Sequence, residues 1–406
     1  MSRKTHPWGA PPWTVNFRSA PRALPDEVDF AIVGGGFSGL SAAAWLRKLA
    51  PGRSVLVLES ASLGEGASGR TGGMALSETA AGPLPGLGDV LAGYKKILRA
   101  LRIDSRLALP GVWELGRSAP ASGSSRSVGK NSPICWSDSG HLRAVRLVPG
   151  GTVDPGKVVS GLARAAESAG AQIFEHAQVR SIDFSKPLRM HVRHKIRGRI
   201  HRKQILAKEI LLATNAFSLP LSGLRVAAPK LTFALATEPL SAAQLKAIGL
   251  SSRRPFYTVD LPYLWGRLLE SNGVIFGAGL VPLPAAMSAS PATFLRNPMG
   301  AGSHRHASPN LQRFDIRKGE SAARLRWLET RVRHLHPALK GVRITHRWGG
   351  PILLTEKMRP VFRRHARSKN ILVLAGYNGH GVALSVYLGK WAAEALLSRR
   401  PLPRWH

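Results

Sequence analysis

A chain of 406 residues exceeds one ordinary core and predicts two domains, while 44% hydrophobic against 20% charged residues excludes a disordered chain. No apolar run is long enough to span a bilayer, no hydrophobic leader is seen, and the single cysteine, Cys135, excludes an intramolecular disulfide or a cysteine-based metal cluster, so a cytoplasmic protein without a metal is expected. Lysine plus arginine (58) against aspartate plus glutamate (23) gives a net charge of +35, which fits two readings: a polyanionic partner (tRNA, DNA or an acidic membrane surface) or arginine drift in a GC-rich genome.

Residues 1–27 read as an arm, because Pro7, Pro11, Pro12, Pro21 and Pro25 forbid a helix; Trp8 and Trp13 are expected to dock it. Val28–Val33 is a short apolar strand with an acidic break at Asp29. Gly34, Gly36 and Gly39 follow at G-x-G-x-x-G spacing, then an apolar helical pattern through Leu40, Ala43, Ala44, Leu46 and Leu49. Val55–Leu58 is a second buried strand, closed by Glu59. Gly34 makes the tight turn, Gly36 lets the backbone approach a pyrophosphate, and Gly39 lets helix pack on strand. The free N–H groups of the helix start favour phosphate, and an acid about 20 residues on suits ribose hydroxyls. Strand, turn, helix and acid together predict dinucleotide binding.

Further along, 83–117 reads as mostly helical, 118–132 as a polar loop and 140–148 as a strand. Asp154-Pro155 opens a helix at 156–169, and 171–184 is a strand with a turn. Residues 186–208 hold the densest basic run and read as an exposed strand or hairpin. A buried strand follows at 209–218, several strands within 229–282, a mobile loop at 283–310 and an amphipathic helix at 319–335. Residues 344–362 read as two strands. Residues 371–397 read as a buried strand, a second glycine turn (Gly376, Gly379, Gly381) and a long helix. Two glycine turns from opposite chain ends predict one domain built from both. The expected division is an arm at 1–27, a cofactor domain at 28–85, 145–225 and 340–400, and a substrate domain at 86–144 and 226–339.

Three segments, GASGRTGGM (66–74), ATNAFS (213–218) and GYNGHGVALSVYLGK (376–390), follow the dinucleotide turn in that order. Together they resemble the D-amino-acid oxidase, glycine oxidase and sarcosine oxidase superfamily of FAD enzymes, most of all its γ-glutamylputrescine oxidoreductase-like amine oxidases. The likeness covers most of 28–397. It implies an α/β fold: a doubly wound, Rossmann-like FAD-binding domain with an inserted α+β substrate domain on a mostly antiparallel sheet that covers the flavin. It implies Gly34, Gly36, Phe37, Ser38 and Gly39 at the pyrophosphate, Glu59 and Ser60 at the adenosine ribose, and the Val179 backbone at adenine. Ala67, Ser68, Gly69, Arg70, Thr71, Gly73 and Met74 would lie along pyrophosphate and flavin, bordered by Ala213 and Thr214. Gly376, Gly379, His380, Gly381 and Val382 would reach the flavin's pyrimidine end.

The departures from the family pattern bear on substrate. Glycine oxidases place a carboxylate-binding arginine where Ile352 stands, and the sarcosine oxidase branch a lysine where Ala383 stands. That branch's flavin-linking cysteine matches Gly350, and Cys135 is distant in sequence, so non-covalent FAD is expected. Its lysine for oxygen loosely matches Ile275, leaning towards slow oxygen use or a quinone or protein acceptor. The family's T-x-D-x-x-P turn has Lys357 in place of the aspartate. A buried carboxylate without a cation is costly, so an amine distant from any carboxylate is the expected substrate.

The pocket candidates each carry two readings. Arg267 is an anion clamp or a surface residue. Tyr257, Tyr263 and Trp265 share a face by period two and form, with Trp348, an aromatic wall for an amine or ordinary packing. His380 is a proton handler or a helix-start residue, and Glu238 a counter-charge or a strand-end carboxylate. His380, Tyr263, Trp265 and Arg267 stand as catalytic candidates. The expected activity is oxidation of a C–N bond of an amine or amino-acid derivative by hydride transfer to FAD, giving an imine that hydrolyses. The electron acceptor is oxygen, a quinone or a protein. The alternatives are a flavin enzyme acting on a modified tRNA base, a D-amino-acid dehydrogenase passing electrons to a quinone, and a non-enzymatic electron carrier.

Overall fold

Apolar runs and turn residues resolve into two large sheets that face each other across helices and an arm. The computed structural model describes residues 7–117, 132–217, 219–224, 230–278 and 315–405. The expected loop at 283–310, and all but the last residue of the one at 118–132, lie outside the described residues. The strands in chain order are β1 (Glu27–Val33), β2 (Val55–Leu58), β3 (Met74–Leu76), β4 (Val112–Gly116), β5 (Cys135–Ser137), β6 (His141–Val148), β7 (Gly150–Thr152), β8 (Gln172–Phe174) and β9 (Ala177–Asp183). They continue as β10 (Leu188–Ile196), β11 (Arg199–Leu212), β12 (Lys230–Thr237), β13 (Phe256–Thr258), β14 (Trp265–Leu268), β15 (Val274–Ala278), β16 (Ile344–Ile352), β17 (Val361–His365) and β18 (Ser368–Ala375). The helices are α1 (Phe37–Leu49), α2 (Val90–Ala100), α3 (Pro155–Ser168), the short α4 (Leu219–Ser222) and α5 (Ala242–Ala247), α6 (Gly319–Leu335) and α7 (Gly381–Leu396).

The first sheet runs β17-β18-β11-β1-β2-β8, with β10 on β11 and β9 on β10. Strands β18, β11, β1, β2 and β8 are mutually parallel. Such strands are buried on both faces and read as continuous apolar runs, as Val55–Leu58 does. Phe30, Ile32 and Val57 pack on one face under α1, α2, α3 and α7. Ala31, Val33 and Leu56 pack on the other, against Val179, Met190 and Val192 of β9 and β10. The chain leaves β1 towards β2 and returns later to β11, so the order reverses beside β1. That reversal is where an open α/β sheet makes its crevice.

The second sheet runs β16-β12-β15-β14-β13-β4-β6-β5. It is antiparallel except for the β13–β4 pair. Phe233, Leu235, Phe256 and Phe276 of its outer face pack on Leu325, Leu328 and Val332 of α6. On the inner face Ala234, Ala236, Ile275 and Trp348 cluster with Trp13 of the arm. Both tryptophans of the arm are seated against the body. Trp8 stacks on Phe217, and its carbonyl accepts from Gly349 N at 2.9 Å. Trp13 meets Trp348 edge-on and donates Nε1 to Gly69 O at 2.8 Å.

Two expectations are corrected. Residues 112–116 are strand, not helix: Gly111 takes a positive φ (+89°), and the five residues behind it are buried between β13 and β6. Pairing also moves the domain limits. Strand β16 joins β12 in the second sheet although 340–400 was expected in the cofactor domain. Strand β6 lies wholly in the second sheet, across the expected limit at 145. Helix α2 buries Leu91, Tyr94 and Leu98 in the first core, because its apolar stripe packs on α7.

Candidate active site

The cofactor crevice is built from backbone at the carboxyl end of β1. Gly34 has φ +110°, and a Cβ there would stand 2.6 Å from Ala213 O; a Cβ on Gly39 would run into the Gly34 carbonyl. Helix α1 therefore sits as close to β1 as glycine permits. Helices α2, α3 and α5 are capped by Asp89, Asp154 and Ser241 side chains, whereas the N-cap residues of α1 and α7 supply no side-chain cap, and neither first turn is acidic. Two helix starts are thus arranged for negative charge. Ser68 Oγ accepts from Phe37 N at 2.9 Å, which brings the segment 66–74 onto the first of them.

Glu59 closes β2 beside this turn. Its carboxylate accepts from Gly35 N at 2.8 Å and Ala61 N at 2.9 Å, and burial pushes its pKa above the ordinary value. Ser60 Oγ donates to the same carboxylate at 3.2 Å. Ala177 N donates to Glu59 O at 2.7 Å. Val179, two residues on, lies in β9 opposite Val192 of β10.

The second helix start lies beside the first. Ser38 Oγ and the Tyr377 hydroxyl share a short hydrogen bond, and a Cβ on Gly389 would stand 2.5 Å from Ser38 O. Gly376 (φ +72°) and Gly379 (φ +89°) make the turn, and Asn215 Oδ1 accepts from Gly376 N at 2.9 Å. All three resemblance segments therefore meet in one crevice. The turn with Lys357 still closes, because Thr355 Oγ1 donates to Arg359 O at 2.7 Å and Thr355 N donates to Asn378 Oδ1. Ile352 Cδ1 lies 3.5 Å from where a Cβ on Gly379 would stand, and Ala383 is buried in α7. Neither place of the family's carboxylate anchors carries a cation.

The inner face of the second sheet supplies the facing wall. Register aligns Arg146, Glu114, Tyr257, Trp265, Gly277, Ala234 and Trp348 as one row across seven strands. Directly opposed residues share a face, so the row is continuous. Arg146 grips Glu114 with two nitrogens, and the Tyr257 hydroxyl donates to the same carboxylate. Glu114 holds the Arg146 pKa above its ordinary value, while burial and Glu114 raise that of Tyr257. The charge of Glu78, in the β3–α2 connection, acts on Arg146, Tyr257 and His380 alike. Sequence reasoning missed Glu78, Glu114 and Arg146; the pairing of β4 between β6 and β13 brings the last two together.

The four catalytic candidates separate. His380 is the N-cap of α7, its N donates to Tyr377 O at 2.9 Å, and burial lowers its pKa below 6.5. Trp265 is wedged between Gly72 and Gly277, where any Cβ would strike its ring. Tyr263 lies between β13 and β14 rather than in the ladder that aligns Tyr257 with Trp265, and burial raises its pKa to about 12. Arg267 is not a surface residue: it is 7% exposed, lies 5.6 Å over the Trp13 ring and donates Nε to Gly72 O. Burial lowers its pKa to about 10, and no carboxylate pairs with it among the described residues. Its guanidinium ties the 71–74 segment to arm and sheet. Arg70 likewise turns its side chain away from the crevice, to Trp8 and Gly9 carbonyls. Trp348 is core, and Glu238 is a strand-end carboxylate paired with Arg343. Cys135 lies on β5, the far edge of the sheet from β16 and Gly350.

The family model described as DAO, FAD dependent oxidoreductase, matches residues 29–395. The chain is 25% identical over 404 residues to gamma-glutamylputrescine oxidoreductase of Escherichia coli (strain K12), covering 91% of this chain and 83% of that protein. It is 26% identical over 419 residues to a probable oxidoreductase OrdL of Haemophilus influenzae, covering 94% and 86%. Its fold matches glycine oxidase from Geobacillus kaustophilus with a TM-score of 0.64 at 19% identity, over 93% of this chain and 96% of that one. L-Amino acid deaminase from Proteus myxofaciens, solved with anthranilate, matches with a TM-score of 0.67 at 16% identity, over 96% and 94%.

Proposed function

Since the chain belongs to the DAO family of FAD-dependent oxidoreductases, we propose that it oxidises the C–N bond of an amine whose reacting carbon bears no free carboxylate, using non-covalent FAD. The carrying observation is Ile352 beside the α7 turn, where the resemblance expects an arginine. Bound FAD would supply the acceptor for the hydride equivalent of the amine carbon, and water would hydrolyse the resulting imine. The helix starts at Gly36–Phe37 and His380–Gly381 would hold the cofactor's negative charge, Glu59 would take the ribose hydroxyls, and Val179 would offer its backbone to adenine. Burial lowers the pKa of His380, the N-cap residue of α7, which disfavours a positive charge there against a substrate amine. Glu114, fixed by Arg146, orients the Tyr257 hydroxyl on the wall opposite. Trp265 and Arg267 position the 71–74 segment.

The test is anaerobic bleaching of the flavin absorbance in the purified protein. Primary or secondary amines are expected to bleach it, and the corresponding α-amino acids to do so at least tenfold more slowly. Faster bleaching by amino acids would assign a carboxylate clamp to this pocket. Bleaching by neither would leave the tRNA-base and electron-carrier readings.

A further inference from the structure

Hairpin β10–β11 is the most basic part of the chain, and the cofactor site does not use its tip. Residues 186–208 carry nine lysines and arginines and no aspartate or glutamate. Arg197 (φ +48°) and Gly198 (φ +83°) form a two-residue turn suited to a tight hairpin. Pairing of the two strands runs out to Ile196↔Arg199, whereas β9 stops at Ala177↔His194 and β1 meets β11 only from Leu206. The tip therefore projects beyond every neighbouring strand.

Its charges are not arranged for its own stability. Arg193 faces Arg202 directly across the ladder, a destabilising placement of like charges. Asp183, Asp26 and Asp29 pair with His191, Lys203 and Lys208. Among the described residues, none pairs with Arg193, Lys195, Arg197, Arg199 or Arg202. Ile196 and Ile200 stand 42% and 49% exposed at the same tip. The pairs Lys195↔Ile200 and Ile196↔Arg199 give each face of the tip one apolar and one cationic side chain. Residues 186–208 contain no phenylalanine, tyrosine or tryptophan on which bases could stack.

We propose that this tip docks on an anionic phospholipid surface. Ile196 and Ile200 enter the boundary between headgroups and acyl chains, and the flanking arginines and lysines meet lipid phosphates. The protein would lie on the bilayer; no helix among the described residues is long and apolar enough to cross it.

The test is co-sedimentation of the full-length, FAD-loaded protein with vesicles of phosphatidylcholine alone or mixed with phosphatidylglycerol, at low and high salt. Binding is expected only to the anionic vesicles and weakens with salt. An Arg197→Gln/Arg199→Gln variant should lose about 30-fold in partitioning. An Ile196→Ser/Ile200→Ser variant should lose about tenfold on vesicles yet elute unchanged from heparin. Unaltered flavin content verifies that both variants fold. Absence of vesicle binding, equal binding to neutral vesicles, an isoleucine variant that binds vesicles normally, or tighter binding to tRNA than to vesicles would each overturn the proposal.

Discussion

Around the β1–α1 crevice the chain works with main-chain groups: Gly34 and Gly39 leave no room for a Cβ against the Ala213 and Gly34 carbonyls, and Gly36 leaves little beside the Ser68 hydroxyl. Across from it, the inner face of the second sheet works with a row of side chains, Arg146, Glu114, Tyr257 and Trp265, each on a different strand. Substitution should therefore act differently on the two. At Gly34 and Gly39 an added Cβ meets backbone and at Gly36 it meets the Ser68 hydroxyl, so the expected loss at the crevice is nearly total. On the row a side chain can change while the sheet persists, and losses should be graded.

Gly39→Val breaks the first half of that comparison most severely. Its Cβ collides with the Gly34 carbonyl, so the protein is expected to purify without flavin absorbance; normal flavin content would sink the backbone account. Ile352→Arg probes where the two walls meet. A guanidinium there should move preference towards α-amino acids by about 30-fold, read as the ratio of flavin reduction rates. Glu114→Gln removes the charge that Arg146 grips and should cost about 2 kcal/mol in denaturant unfolding, with flavin content retained. An unchanged midpoint would mean the pair contributes nothing. Tyr257→Phe should cost about 1.5 kcal/mol of stability and lower kcat/KM about fivefold.

The smallest effect is on pH. Burial lowers the pKa of His380 below 6.5, so the folded protein takes up this proton later than the unfolded chain does. Its contribution is complete above pH 6.5 and is lost as pH falls from there through the lowered folded value. His194, His346 and His365 are lowered by burial as well. His380→Asn should accordingly flatten only part of the acid-side loss of stability, measured as thermal midpoint against pH. An unaltered slope would remove His380 from the linkage.

The same contrast governs what could be read from sequence. The crevice is local: strand, glycines, helix and acid lie within 28–59, and a second glycine turn lies within 376–381, so spacing alone reveals them. The row is not local. Glu114 was hidden in a stretch that looked helical, because a five-residue buried strand has no alternation to betray it. Arg267 could be read only as an anion clamp or a surface residue, because its partners, the Gly72 carbonyl and the Trp13 ring, are distant in sequence and carry no opposite charge. Helix α6, with its amphipathic stripe, matched its expected limits, since its signal lies wholly within itself.

The arm has a consequence in time. Trp8 and Trp13 leave the ribosome early, yet Gly349 and Trp348, which receive them on β16, are made near the end of the chain. Until then Gly69 and Arg267 can have only part of their native surroundings. Seating the arm is thus a late event that waits on the second sheet, a contact of long sequence separation of the kind that slows folding. The two tryptophans would be among the last residues to find their places.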